Sequence, residues 1–102
     1  MHLVQILLPL YDNDGVALPA SEFHEVRRVL TERFGGMTAF ARAPAEGVWK
    51  PEGEPASLDE IVIFEIMASE LDEAWWHGYR RELEHRFRQE SIVIRAQPVQ
   101  LL

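Results

Sequence analysis

Alternating polar and apolar positions predict four β-strands in this chain. The clearest strand, residues 59–67, is rich in the β-branched and aromatic residues that strands favour. Both of its faces are apolar, which places it in the middle of a sheet. Glu65 interrupts this pattern, and a carboxylate without a partner is costly to bury. The other predicted strands are residues 2–10, 37–43 and 91–99.

Apolar residues at spacings of three and four predict two helices between these strands. The first begins near Pro19 and ends before the pair Gly35 and Gly36, because glycine favours the residue after a helix. The second is predicted to begin at a Ser69 cap, with Asp72 at the reach-back position of a capping box. We expect this helix to run to about residue 90.

A long loop is predicted over residues 44–55, which contain two Gly and three Pro. Loops of this length in compact domains are often functional. Trp49 is the large aromatic residue of the loop. It either folds back over one end of the core or contacts a ligand or a second subunit.

The order of the elements, β-α-β-β-α-β, predicts an α+β protein with the ferredoxin-like fold, a four-stranded antiparallel sheet with two helices on one face. We expect one domain over residues 1–102. Right-handed crossovers put the first and third strands at the centre of the sheet. The residues predicted to face the helices are all apolar: Val4, Ile6, Leu8, Val62, Phe64, Ile66, Ile92 and Ile94.

The opposite face of the sheet is also mainly apolar. Its predicted members are Leu3, Gln5, Leu7, Ile61, Ile63, Glu65, Met67, Val93 and Arg95. Left in water, this face would be a larger apolar patch than monomers usually expose. A second copy of the chain is the simplest cover, so we expect a homodimer whose two sheets pack face to face.

Three polar residues, Gln5, Glu65 and Arg95, should lie between the two sheets, with Gln5 flanked by the two charges. They either satisfy one another as a structural network or hold a small ligand in a partly dry cavity. The sequence leaves both interpretations open. The candidate catalytic residues are Glu65 and Arg95, and the candidate ligand-binding residues are Gln5, Trp49 and Met67.

Composition and charge narrow the range of partners. The chain has 102 residues, is 47% hydrophobic and 26% charged, and has a formal charge of −7. Nucleic acids and anionic membranes need clustered Lys and Arg, so we expect neither as a partner. The chain has no Cys, which excludes disulfides and thiolate metal sites. The acidic turn at residues 12–15 lacks the later ligands of a calcium loop, so we expect no metal and no cofactor.

The N-terminal segment lacks a basic leader, and its apolar run is too short to span a bilayer. These features predict a cytoplasmic location. There is also no P-loop, no dinucleotide-binding fingerprint and no serine nucleophile elbow in the sequence. The known nucleotide-binding and serine-hydrolase motifs therefore give no indication of function.

The element order resembles that of the dimeric α/β-barrel group of ferredoxin-like proteins, which includes small cofactor-independent monooxygenases and isomerases. The chain is more closely similar to small bacterial proteins of an uncharacterised family. The residues that carry this likeness are Arg33-Phe34-Gly35-Gly36, Gly47-Val48-Trp49, Asp59-Glu60, Trp75-Trp76 and Phe87-Arg88-Gln89-Glu90. The resemblance implies a fold and brings no established activity or catalytic residue.

Two functions follow from these patterns as hypotheses. In the first, a homodimer binds a small organic molecule at the open sheet face. Any reaction there would be cofactor-independent and isomerase- or monooxygenase-like, with Glu65 as base and with Arg95 and Gln5 stabilising the developing anion. In the alternative, the protein is a non-catalytic interaction or assembly module. Glu65 and Arg95 then set the registry of the two sheets, and Trp49 contacts another protein.

Overall fold

A computed structural model describes residues 1–36, 38–42 and 61–102 of the protein. The elements follow one another as β1 (His2–Pro9), α1 (Ala20–Phe34), β2 (Thr38–Arg42), β3 (Ile61–Ala68), α2 (Glu73–Arg86) and β4 (Val93–Pro98). The predicted loop 44–55 with Trp49, and the predicted strand ends at residues 37, 43 and 59, lie outside the described residues. Within the described ranges, no helix is both long and apolar enough to cross a membrane.

The sheet is built around β1, which pairs antiparallel with β3 on one side and with β4 on the other. β2 pairs antiparallel with the far edge of β3, which gives the order β2-β3-β1-β4. The predicted α+β class, with an antiparallel sheet and two helices, is confirmed.

The hydrophobic core lies between one face of the sheet and the two helices. Apolar residues of β1 and β3 alternate strictly between this face and the opposite one, because neighbouring side chains of a strand point in opposite directions. The predicted helix-facing residues are all found in or against the core. Those that are buried are Val4, Ile6, Leu8, Phe64, Ile66 and Ile92, while Val62 and Ile94 are partly buried against them.

Helix α1 begins after its N-cap, Pro19. Pro19 has an extended backbone, and no side-chain hydrogen bond caps the helix there. It ends at Phe34, and its C-cap Gly35 has a φ of 79° and donates its N–H to the Thr31 carbonyl at 2.8 Å. A left-handed residue in this position satisfies one of the last helical carbonyls, and glycine adopts that conformation without a steric penalty. The predicted end of α1 is therefore confirmed.

Helix α2 begins later than predicted. Ser69 does not cap it, because Ala68 is still paired with His2 in the sheet and Ser69 follows directly. The N-cap is Asp72, whose carboxylate accepts a hydrogen bond from the Trp75 N–H at 3.1 Å. Asp72 thus acts as the cap itself and does not reach back to another one.

The end of α2 and the start of β4 also differ from the prediction. The helix ends at Arg86, with Phe87 as its C-cap, and Arg88 adopts a left-handed φ of 51°. The backbone N–H of Ile92 donates to a side-chain oxygen of Glu84 at 3.0 Å, and β4 starts one residue later, at Val93. This tight connection leaves no room for the additional helical turn that the sequence pattern suggests.

The two helices lie side by side in opposite directions. Near the start of α1, Glu22 accepts a hydrogen bond from the Arg86 guanidinium at 2.9 Å. Near its end, the Phe34 ring stacks on Trp76 at 5.3 Å between ring centroids. The hydrogen bond from Arg86 to Glu22 raises the pKa of the guanidinium above its usual range. Aromatic packing at one end and the ion pair at the other fix how the helices cover the sheet.

Candidate functional site

Three polar side chains lie in a row across the open face of the sheet, the face opposite the helices. In the strand register, Gln5 of β1 is directly opposite both Glu65 of β3 and Arg95 of β4. The Gln5 amide nitrogen donates to Glu65 Oε1 at 2.6 Å, and Arg95 Nε donates to Gln5 Oε1 at 2.7 Å. The predicted arrangement, with Gln5 flanked by the two charges, is confirmed. The functional roles predicted for these residues stay predictions.

The chemistry of the two neighbours determines how the Gln5 amide is oriented. An ionised carboxylate only accepts hydrogen bonds and a guanidinium only donates them. The amide nitrogen must therefore face Glu65 and the amide oxygen must face Arg95, as observed. Gln5 thus links an anion to a cation in a single orientation, and this holds both charged side chains in place.

Each charged residue keeps bonding capacity beyond this row. Within the described part of the chain, Glu65 and Arg95 form no ion pair, and each makes one side-chain hydrogen bond. Arg95 is exposed, whereas Gln5 and Glu65 are half-buried. The terminal nitrogens of Arg95 can bind an oxyanion, and the second oxygen of Glu65 can accept from a donor. A ligand with both kinds of group would satisfy the pair.

Apolar side chains surround the polar row. Met67 and Val93 on this face are 46% and 50% exposed, while Leu3, Leu7 and Ile61 are half-buried. Ile63 is the exception, since only 2% of it is exposed. The face therefore combines hydrogen-bonding groups at its centre with apolar surface around them, which is the usual composition of small-molecule sites.

Two open clefts meet on this face at Leu3. One has a volume of about 350 Å³ and is lined by Gln5, Arg95 and the neighbouring residues of β4. The other has a volume of about 330 Å³, and Glu65 and Met67 line it together with the end of α1 and the start of β2. Both volumes lie near the lower limit for pockets that bind small organic molecules.

The structure brings together four of the five predicted site residues. Gln5, Glu65, Arg95 and Met67 share one face of the sheet, whereas Trp49 lies outside the described residues. The sequence prediction did not identify Thr38 or the Gly35–Gly36 pair as lining residues, although both line the cleft beside Glu65. Thr38 is directly opposite Glu65 in the β2–β3 register, so knowledge of that register would have identified them.

The chemistry available at this face is that of acids, bases and hydrogen bonds. In the described residues, no group of three or more His, Asp or Glu side chains is arranged to hold a metal ion. The row supplies one carboxylate, one amide and one guanidinium on rigid strands. Such a set can bind an organic zwitterion, or accept a proton on Glu65 while Arg95 stabilises negative charge.

Comparison with known proteins gives one informative match. No protein-family model matches the chain, and no match is found among the curated proteins. Among solved structures, the chain resembles a phage SAM lyase in complex with S-methyl-5'-thioadenosine, with a TM-score of 0.60 and 16% sequence identity. The alignment covers 94% of this chain and 79% of the lyase chain. At this level of identity, the likeness shows that the two proteins share a fold.

Proposed function

We propose that this protein is a single ferredoxin-like domain that binds a small organic molecule on the open face of its sheet. The observation that carries the proposal is the row Gln5, Glu65 and Arg95. A sheet face without a binding role does not need a carboxylate and a guanidinium joined by hydrogen bonds. Here this pair lies on an apolar face beside two clefts. A preorganised polar row of this kind gives a ligand its orientation, and the apolar surround supplies contact area.

The proposed ligand carries an oxyanion, a hydrogen-bond donor and an apolar portion. Its oxyanion binds the terminal nitrogens of Arg95, and its donor binds Glu65. The apolar portion lies over Leu3, which lines both clefts, and over Met67, which lines the cleft beside Glu65. The solved lyase of the same fold holds S-methyl-5'-thioadenosine, which has hydrogen-bond donors and an apolar portion but no oxyanion. S-adenosylmethionine, whose carboxylate supplies the oxyanion, is therefore the first compound to test, and S-methyl-5'-thioadenosine is the comparison that lacks it.

We also propose that two copies of the chain cover this face together. The exposure of Met67 and Val93 supports a cover of apolar character. Two-fold packing of the sheets would turn the open clefts into enclosed ones, and a ligand within them would lose most of its contact with water. Electrostatic contacts to Arg95 and Glu65 strengthen as water is excluded.

The proposed reaction, for a ligand that is turned over, is cofactor-independent and begins with proton abstraction by Glu65. In an isomerisation Glu65 would return the proton to another atom of the ligand, whereas a monooxygenase-like reaction would need O2 as the oxidant of the resulting anion. Arg95 would stabilise the negative charge that develops, while Gln5 holds both side chains in position. The rigid register of β1, β3 and β4 supports this division of roles, because it fixes all three residues relative to one another.

The test is a titration of the protein with S-adenosylmethionine and with S-methyl-5'-thioadenosine, followed by backbone amide NMR. Binding at the open face should shift the signals of Leu3, Glu65 and Met67. The Glu65→Gln variant should weaken binding by about tenfold or more, corresponding to loss of one charged hydrogen bond. Glu90→Gln, the same change at an exposed residue outside the sheet, is the matched control.

Sedimentation equilibrium over a wide concentration range tests whether two copies of the chain associate. A dimer that persists on dilution, with ligand shifts confined to the open face, would support both parts of the proposal. A dimer without any ligand-dependent shift would instead favour the alternative of a non-catalytic assembly module. A monomer whose open-face signals respond to neither compound would contradict the proposal as a whole.

A further inference from the structure

A third cavity lies on the other side of the sheet, between α2 and the edge strand β4. It has a volume of about 270 Å³ and is lined by residues of both elements. Its floor is apolar and includes Val4, Trp76 and Ile94. Val4 and Ile94 belong to the helix-facing side of the sheet, so this cavity is separate from the open-face clefts described above.

Arg80 is the residue that makes this cavity unusual. It lines the cavity from α2, and its Nε is shielded from solvent without any hydrogen-bond partner in the described part of the chain. Shielding a donor that has no acceptor is costly, and the cost is greater for a charged group. An acceptor supplied by a ligand would remove this cost once the Arg80 side chain turns to expose its Nε.

Three other arginines of the helices contact carboxylates. Arg28 pairs with glutamates on its own helix, Arg33 lies near Asp72, and Arg86 binds Glu22 across the two helices. Arg80 forms no such pair among the described residues, and it is half-buried. Arg27 and Arg81, which also form no ion pair among the described residues, are exposed to solvent. Arg80 is therefore the helical arginine that lacks a carboxylate partner although it is half-buried.

The charges around the cavity favour an anion. Arg80 and His77 line it with hydrogen-bond donors, and Glu73 is the one carboxylate among its described lining residues. Arg95 also lines the cavity, but its guanidinium donates to Gln5 on the opposite, open face of the sheet. The Arg80 guanidinium is therefore the group that offers an oxyanion the planar fork geometry of arginine.

We propose that this cavity binds the phosphate or carboxylate group of a small organic anion, with Arg80 as its principal contact. The apolar part of the anion packs on Trp76 and Ile94. This site is additional to the open-face site and does not depend on it. Phosphate and carboxylate share the oxyanion chemistry that Arg80 recognises, and the experiment below separates them.

The test uses phenyl phosphate and benzoate as anionic probes and benzyl alcohol as a neutral probe of similar shape. We expect saturable NMR shifts at Arg80, at the Trp76 indole and at the amides of β4 with an anionic probe. Benzyl alcohol should bind at least about tenfold more weakly. The anion that binds more tightly identifies the preferred oxyanion, and inorganic phosphate shows how much the apolar part contributes.

Two arginine variants decide the role of Arg80. Arg80→Gln should weaken binding of the better anion by about tenfold or more, whereas Arg81→Gln, the same change at the adjacent exposed residue, should leave binding unchanged. Arg80→Lys keeps the charge but loses the planar fork, so it should give an intermediate affinity. If Arg80→Gln does not fold, the affinity of Arg80→Lys still tests the role of Arg80.

The proposal is overturned if neither anion produces a saturable shift at the cavity, or if Arg80 and Arg81 variants lose affinity equally. Equal binding of benzyl alcohol and the anions would also overturn it. Glu65→Gln distinguishes this proposal from the open-face proposal. The variant should weaken thionucleoside binding and leave the affinity for phenyl phosphate or benzoate unchanged.

Discussion

Replacing Asp72 with alanine should destabilise the protein through the first turn of α2. The Asp72 carboxylate accepts a hydrogen bond from the Trp75 N–H at 3.1 Å, and it lies 3.6 Å from Arg33 of α1. Alanine removes the acceptor and the charge together. Asp72→Asn separates the two effects, because asparagine keeps a cap acceptor and loses the charge.

The magnitude of the effect follows from these contacts. Loss of an N-cap acceptor costs about 1 kcal/mol, and the carboxylate near the helix N-terminus contributes about 0.5 kcal/mol more. The Arg33 pair adds little, because the Asp72 and Arg33 side chains are 60% and 42% exposed. We therefore expect about 1–2 kcal/mol for Asp72→Ala and about 0.5 kcal/mol for Asp72→Asn.

Urea unfolding followed by tryptophan fluorescence measures these differences, with all variants at one protein concentration so that association does not contribute. A loss of 1–2 kcal/mol corresponds to a fall in Tm of about 5–15 °C for a domain of this size. Ser69→Ala is the matched control, and its effect should stay within about 0.5 kcal/mol. If Ser69→Ala cost as much as Asp72→Ala, the assignment of Asp72 as the cap would be refuted.

Three further predictions concern the core, the pH dependence and the polar row. Phe87 is fully buried with its ring edge-on to Phe23 at 5.3 Å, so Phe87→Ala should cost about 3–5 kcal/mol in urea unfolding, and a loss below about 2 kcal/mol would contradict this packing. Burial raises the pKa of the Tyr79 hydroxyl, so the folded state keeps a proton that the unfolded chain releases above about pH 10. The free energy of unfolding should therefore fall as the pH rises above about 10, and Tyr79→Phe should remove this part of the slope. A double-mutant cycle between Gln5→Leu and Glu65→Leu should give a coupling energy of about 1 kcal/mol, and a coupling near zero would show that the hydrogen bond contributes nothing to stability.

The sheet was predictable because its strands carry a simple and strong signal. In β1 and β3, apolar residues alternate between two faces, and a shift of one residue would exchange the faces. That constraint predicts Gln5 beside Glu65 and Arg95, as the strand pairing shows. Strand alternation combined with the handedness of the connections therefore accounts for the correct part of the site.

The ends of α2 were predicted less well because local signals competed there. Ser69 and Asp72 are both good cap residues three positions apart, and only the length of β3 decides between them. At the other end, Phe87 continues the apolar stripe of the helix although it is already the C-cap. Arg88 then takes a left-handed conformation without the glycine that usually signals one.

The cavity with Arg80 could not be predicted from the sequence. Arg80 follows Trp76 by four residues and precedes Leu83 by three, so the helical period puts it at the border of the buried stripe, whereas Arg81 lies further round the helix. The period therefore agrees with the half-buried Arg80 and the exposed Arg81. It does not show that α2 and β4 leave a cavity between them, because that depends on how the two elements pack.

The position of β1 at the centre of the sheet affects how the protein can fold during synthesis. β1 is synthesised before both of its partner strands, and Gln5 and Arg95 are separated by 90 residues. Until β4 has emerged, β1 has an unpaired edge with apolar residues on both faces, the kind of segment that aggregates readily. The ribosome must therefore release nearly all of the described chain before the sheet can close, and non-local pairing of this kind slows folding.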